Sequence, residues 1–370
     1  MFRLFKSALT ARSCEGSTER LIQLCGGYFA AYVMTGVIVK FFTPRLMSDV
    51  GYLIYSTIGG SAVCVTVVFA LGWYKLKSTH NTKVFGINVP AEYVYIIPSG
   101  VCTAVVIPTT TLMYTLPISV MVAMVIMRAS IIIISRIIDA IQIHQGILKR
   151  KVYKEENIAV VFAIIAAGMN LVNVKPGEFD FVHNRAAMTI LTSYLIAYSI
   201  RIYIMNYYKN TRPKGAPQDN QGFFAIEQIA ASLTTITVAV WVFTCLCPDD
   251  PKSFIALFQQ NLSNPPQAWG WAILAGTVFG IAAFFSVFLF MFKGRTATFA
   301  GLVNRLTSLV AGTAATLITW YFMNGKPPKK EDWLSLMFIL VAVHFMSIAE
   351  KKRSAELAAA KEICVTETKT

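Results

Sequence analysis

Ten apolar stretches punctuate the chain, separated by short polar segments. They cover residues 24–42, 51–73, 93–113, 117–138, 158–173, 187–207, 223–246, 269–292, 296–322 and 333–349. A helix needs about 20 apolar residues to cross a bilayer core, and most of these stretches meet that length. Pro, Gly or charge clusters bound them, as at Lys149-Arg150-Lys151 and Lys326-Pro327-Pro328-Lys329. The short alternating segments of a membrane barrel do not occur in the sequence. The pattern predicts an all-α integral membrane protein with ten transmembrane helices.

Composition agrees with the pattern. Of 370 residues, 55% are hydrophobic and only 14% charged, against about 25% charged in a soluble domain. The 7 cysteines are scattered without pairing or ligand spacing, which excludes a disulfide scaffold. The net charge of +14 would suggest nucleic acid in a soluble chain. Here topology accounts for it. With both termini cytosolic, 21 basic residues fall in cytosolic segments, 7 on the opposite side and 5 within the spans. The expected partners are therefore the lipid bilayer and a small molecule, not nucleic acid. Which membrane is left open. The N-terminal arm (Met1-Phe2-Arg3-Leu4-Phe5-Lys6) is basic and lacks the apolar core of a secretory signal.

The spans divide into two sets of five. The expected organisation is a basic arm (1–23), a first five-helix repeat (24–173), an outer loop (174–186), a second five-helix repeat (187–349) and a cytosolic tail (350–370) that frays as a helix. Arg128 in the fourth span and Arg305 in the ninth each precede the next span by about 29 residues. Ala31-Tyr32 in the first span matches Ala197-Tyr198 in the sixth. An odd number of spans per copy inverts the second copy, an architecture of secondary transporters with the substrate between halves near the midplane.

Leu112-Met113-Tyr114-Thr115 runs into a long fourth span, followed by Leu148-Lys149-Arg150-Lys151 and an apolar span containing Gly168. This order resembles the repeat unit of the drug/metabolite transporter superfamily. The basic residues at 128 and 305, and Val39-Lys40-Phe41-Phe42 closing the first span, are similar to its nucleotide-sugar/triose-phosphate branch. The resemblance implies two inverted five-helix repeats and transport of a phosphorylated or carboxylated metabolite by alternating access, with antiport as one mode. The sequence departs from the branch in its long fourth helix, reaching His144, and in having Arg rather than Lys at 128.

Charges inside the spans are the candidate chemistry. Arg128 lies roughly 17 Å and Arg305 roughly 14 Å into their spans at 1.5 Å per residue. An arginine there costs on the order of 2.5–3.5 kcal/mol. One reading has backbone carbonyls, hydroxyls and water compensating them, helped by Glu227. The other has the two guanidiniums converging on an anion, which suits their planar, permanently charged forks. Arg201 shares a helical face with Tyr194 and Tyr198, as Tyr32 does with Tyr28 in the first span, and these rings could stack on a substrate. Asn304 adjoins Arg305 in sequence but points elsewhere. Lys40 can snorkel to the interface. Glu227 could carry a coupling proton. Glu92, Asp139 and Glu227 read as lying near span ends, and the lack of a midplane carboxylate favours exchange without a coupling ion.

Five further features carry structural expectations. Arg136 and Asp139 are spaced for a salt bridge. Asn206 reads as an interfacial belt residue. Gly276 and Gly280 allow close packing, within the fold or in a homodimer. Pro98, Pro108 and Pro117 around Thr109–Thr111 suggest helix breaks. The only sequon, Asn261-Leu262-Ser263, falls in the longest outer loop.

Other functions fit poorly. The 4 histidines lie far apart, no H-E-x-x-H or Walker motif occurs, and no cofactor or metal is expected. An enzyme is not expected. An exporter of neutral or cationic molecules, or a membrane receptor or scaffold, remains as an alternative.

Overall fold

The computed structural model describes residues 17–42, 46–78, 81–84, 86–115, 120–148, 152–172, 184–212, 218–248, 250–292, 297–323 and 330–367. The arm to residue 16, Pro117, Lys149-Arg150-Lys151, most of the 174–186 loop and Lys326-Pro327-Pro328-Lys329 lie outside the described residues. So do some helical side chains, that of Arg128 among them.

The described elements are α1 (Thr18–Phe42), α2 (Asp49–Ala70), β1 (Asn81–Val84), β2 (Ile87–Pro90), α3 (Tyr93–Thr115), α4 (Val120–His144), α5 (Lys154–Val172), α6 (Arg185–Thr211), α7 (Asn220–Cys245), α8 (Phe254–Ser263), α9 (Trp269–Phe290), α10 (Ala297–Met323) and α11 (Lys330–Glu367). Every helix except α8 covers one apolar stretch of the sequence. Among the described residues, eight helices are long and apolar enough to cross a membrane. The chain is an all-α, multi-pass membrane protein, with one small antiparallel hairpin pairing Val84 with Ile87 around Gly86.

Helix α3 corrects an expectation. It continues through Pro98 and Pro108 instead of breaking. Proline removes one backbone donor and leaves a carbonyl to be satisfied. The hydroxyls of Thr109 and Thr110 donate to the carbonyls of Val105 and Val106, at 2.6 and 2.7 Å, and Thr111 donates to Ile107 at 3.3 Å. This back-bonding satisfies the hydroxyls inside an apolar helix, on the three carbonyls that follow that of Ala104, the one Pro108 leaves without an amide partner.

The packing pairs are α2 with α9 and α3 with α7; α3 with α6 and α1 with α9; α1 with α10 and α4 with α6; α5 with α11; and α4 with α10. The α2–α9 contact is a glycine seam. A Cβ on Gly59 would strike the Ile273 carbonyl, and one on Gly276 the Ser56 carbonyl. One on Gly280 would lie 2.6 Å from the Gly60 oxygen. Small residues let membrane helices approach to backbone contact, where dispersion replaces the missing hydrophobic drive. Gly276 and Gly280 therefore work inside the fold. The α3–α7 contact repeats the device at Gly100, whose Cβ would lie 2.6 Å from the Glu227 carbonyl.

Each end of the bundle is tied at a helix N-cap. At one end Ser48 caps α2 by accepting from the Gly51 amide, and its hydroxyl donates to Asn261 Oδ1 of α8 at 3.3 Å. Tyr55 donates to the Asn261 carbonyl at 2.8 Å, and Asn261 Nδ2 donates to the Leu257 carbonyl at 2.7 Å. At the hairpin end Asp219 caps α7 by accepting from Gly222, and its other oxygen accepts from the Lys77 amide at 3.0 Å. Arg212 donates to the Lys77 carbonyl at 2.6 Å. The sequon nitrogen is thus a structural donor. Asn261→Ala is expected to destabilise the protein by about 1 kcal/mol or more, the usual worth of a lost hydrogen bond, in thermal denaturation in detergent.

Helices α5 and α11 are joined along their length. Phe162 stacks between Phe338 and Phe345, and Ser335 donates to the Ala166 carbonyl at 2.9 Å. Ahead of the apolar part of α5, buried Glu156 pairs with Arg353 at 2.8 Å, and Arg353 covers the ring of Tyr153. Burial pushes the Glu156 carboxyl up to about 7, with Arg353 pulling the other way. The tail expected to fray from residue 350 instead prolongs α11 to Glu367, anchored at Lys352–Glu155 and Arg353–Glu156.

Candidate functional site

Helix α6 presents Tyr194, Tyr198 and Arg201 on one face, each buried. The two tyrosines contact at 5.2 Å between ring centroids. Arg201 extends to α7 and forms a two-point ion pair with Glu227: Nε donates to Oε1 at 2.8 Å and Nη2 to Oε2 at 2.9 Å. Ser99 of α3 donates to the same Oε1 at 2.6 Å. Glu227 and Ser99 have no exposed surface. The close approach at Gly100 brings α3 near enough for this contact.

The second guanidinium comes from α10. Arg305 is buried, with Cζ 4.5 Å from the centroid of Tyr198 and 5.6 Å from that of Phe290. Arg201 Cζ lies 5.8 Å from the same Tyr198 ring. Two cations thus lie against one tyrosine ring, whose π-electrons attract both. This Arg201–Tyr198–Arg305 group, backed by Glu227 and Ser99, is the candidate site. It can present guanidinium N–H donors and an aromatic face to an anion carrying a ring.

The remaining sequence candidates fall around it. Asn304 is buried on α10 and donates to Ser286 of α9 at 3.1 Å, away from the Tyr198 contact. Tyr32 pairs with Tyr28 on α1, at 5.5 Å between centroids. Lys40 is exposed near the end of α1, with Asp49 as its electrostatic neighbour. Arg128 lies on α4, which packs against α10 and α6, and its side chain is outside the described residues.

Glu227, in the third turn of α7, is reached by Arg201 within the bundle, so a buried carboxylate is part of the site. Two expectations are corrected. The Arg136 guanidinium bonds Asn157 Oδ1 at 3.1 Å, not Asp139. Asn206 is no interfacial belt residue. It is buried and donates to Gln142 Oε1 at 2.5 Å and Asp139 Oδ1 at 3.4 Å, tying α6 to α4. Ser99 was not singled out in the sequence; its signal was a hydroxyl set between Pro98 and Gly100 in an apolar run.

No family model and no curated protein matches the chain. A crystal structure of a protein superposes with a TM-score of 0.56 at 13% identity, covering 91% of this chain and 99% of that one. At that identity the likeness shows the fold alone: this helical bundle has a solved counterpart over nearly its whole extent.

Proposed function

We propose that the chain is a secondary transporter of a small anionic metabolite, phosphorylated or carboxylated, that works by alternating access. Two buried guanidiniums on one tyrosine ring carry this reading. Planar guanidinium forks side by side hold an anion by charge-assisted, two-point hydrogen bonds. Arg128 is proposed to join them from α4.

The fold is proposed to be two inverted five-helix repeats, α1–α5 and α6, α7, α9, α10, α11. Replacing each helix by its counterpart turns α2–α9 into α7–α3, α3–α6 into α9–α1, and α1–α10 into α6–α4, all observed neighbours. The pairs α5–α11 and α4–α10 map onto themselves. The N-caps Ser48 and Asp219, each bonding the third residue on, correspond as well. So do the tyrosine pairs Tyr28–Tyr32 and Tyr194–Tyr198. The similarity of Arg128, Arg305 and Val39-Lys40-Phe41-Phe42 to the nucleotide-sugar/triose-phosphate branch supports the same substrate class. The basic loops place both termini on the cytosolic side in this reading.

Proteoliposomes loaded with sugar phosphates, nucleotide sugars, dicarboxylates or amino acids test it by uptake of labelled substrate. Saturable uptake of an anion is expected, with Arg305→Ala lowering it at least about tenfold, since a charged hydrogen bond is worth about 1.5–3 kcal/mol. Arg128→Ala is expected to act likewise. Uptake of only neutral or cationic compounds, unaffected by either change, would overturn it.

A further inference from the structure

The buried carboxylate gives the site a second capability. We propose that the Ser99–Glu227–Arg201 unit links anion binding to the uptake of one proton: the incoming anion takes over Arg201, and Glu227 becomes a neutral acid. This rests on the anion-transport reading above.

In the observed arrangement Arg201 is committed to Glu227 by two hydrogen bonds, and both groups are buried. An anion held at Arg305 on the Tyr198 ring adjoins Arg201 on that same ring. If Arg201 turns to the anion, Glu227 is left as a buried carboxylate without its cation. Stripping one partner from a buried pair is strongly unfavourable, because it leaves an uncompensated buried charge. Arginine keeps its proton under all ordinary conditions, so only Glu227 can change charge. A proton from the aqueous phase then binds a Glu227 oxygen, forming one O–H bond as the Arg201 N–H contacts pass to the anion. No other atom is exchanged.

Ser99 serves both states. Its hydroxyl donates to the ionised carboxylate at 2.6 Å, and it can rotate to accept from the protonated acid. The polar contact on Glu227 is therefore never lost. The groups facing Glu227 are few: Arg201 from α6 and Cys102 from α3, which feels both charges of the pair. Helix α9 carries no titratable residue, and of those on α2, Cys64 donates to the Gly280 carbonyl while Asp49, Tyr52 and Tyr55 stand toward the α8 end. Among the described residues of these helices the other carboxylate, Asp49, stands at the far end of α2 beside Lys40.

The reading also changes the expected energetics of transport. Exchange without a coupling ion followed from a site with no carboxylate. With Glu227 in the site, a proton gradient can drive the anion.

The test uses purified wild-type protein in weak buffer with a pH-indicator dye, titrated with a nucleotide sugar and with succinate. The pyrophosphate of a nucleotide sugar is fully ionised near neutral pH and succinate nearly so above about pH 7.5, so at that pH protons the probes bind themselves do not interfere. Uptake of about one proton per anion bound is expected, with affinity rising tenfold per pH unit of acidification wherever Glu227 is ionised in the free protein. Glu227→Gln, which keeps an acceptor for Arg201, is expected to flatten that slope and remove gradient-driven uptake. Ser99→Ala is expected to weaken binding while keeping the slope. Anion binding with no proton taken up would overturn the proton link and leave the anion reading standing. No binding of either probe, with no anion uptake in proteoliposomes, would overturn the anion reading and this inference together.

Discussion

Glu227→Leu alone is expected to cost about 3–5 kcal/mol of stability, and the double change Glu227→Leu with Arg201→Met to recover most of it. The single change leaves the Arg201 guanidinium buried beside leucine, with two donors that had bonded the carboxylate. In an apolar interior a permanently charged group has no neutral form to retreat to. Removing both partners removes the problem, since hydrophobic residues of similar volume fill the space without any desolvation cost. Thermal denaturation in detergent should therefore rank the double variant close to wild type and far above Glu227→Leu. Both variants should fail in transport. A double variant as unstable as the single would mean the pair supports the fold by more than mutual neutralisation.

Gly276→Leu is the second large effect. Its Cβ would enter the space of the Ser56 carbonyl, which is backbone and cannot swing aside. Helices α2 and α9 would have to part along their whole contact. Overpacking in a close-packed core costs about 1–3 kcal/mol and more where backbone must move, so a loss above about 3 kcal/mol is expected. Gly59→Leu meets the Ile273 carbonyl and should behave alike. The control is Gly270→Ala on the same helix α9, where nothing lies within 4 Å of the new methyl. That change should be neutral or stabilising by about 0.5–1 kcal/mol, because alanine is the better helix former. Equal effects at Gly270 and Gly276 would show that composition, not the seam, matters.

The helices were legible because a bilayer span is a length of apolar sequence, a signal that needs no partner. Their ends were less so. The apolar stretch of α4 stops at residue 138, and it is the polar extension, read as reaching His144, that carries the helix to its end; Gln142 and Asp139 there are buried against Asn206 and Tyr203 of α6. Helix α8 is 10 residues long, too short for that signal, and it is fixed by Asn261 reaching α2 across more than two hundred residues. The hairpin had a local sign, glycine at 86 with φ +82° between two β-prone runs, set in a loop read only for its charge.

The site divides in the same way. Arg201, Tyr198 and Arg305 announce themselves as polar groups in apolar runs. That Glu227 belongs to Arg201 does not follow from position along α7. It follows from α3, α6 and α7 standing together, which spacing within one helix cannot reveal. Lys40 shows the converse: its charge was visible in the sequence, and the fold leaves it exposed beside Asp49.

The glycine seam has a consequence for biosynthesis. Helix α2 leaves the ribosome about two hundred residues before α9, so Gly59 and Gly60 face lipid until Gly276 and Gly280 arrive. The same delay separates α3 from no partner for as long, since α7 follows it much sooner. The first half therefore cannot complete its own packing, and expressed alone it should be cleared by quality control. Expressed as two fragments cut between α5 and α6, the halves should find each other in the membrane, because the seam is a contact between them and not within either.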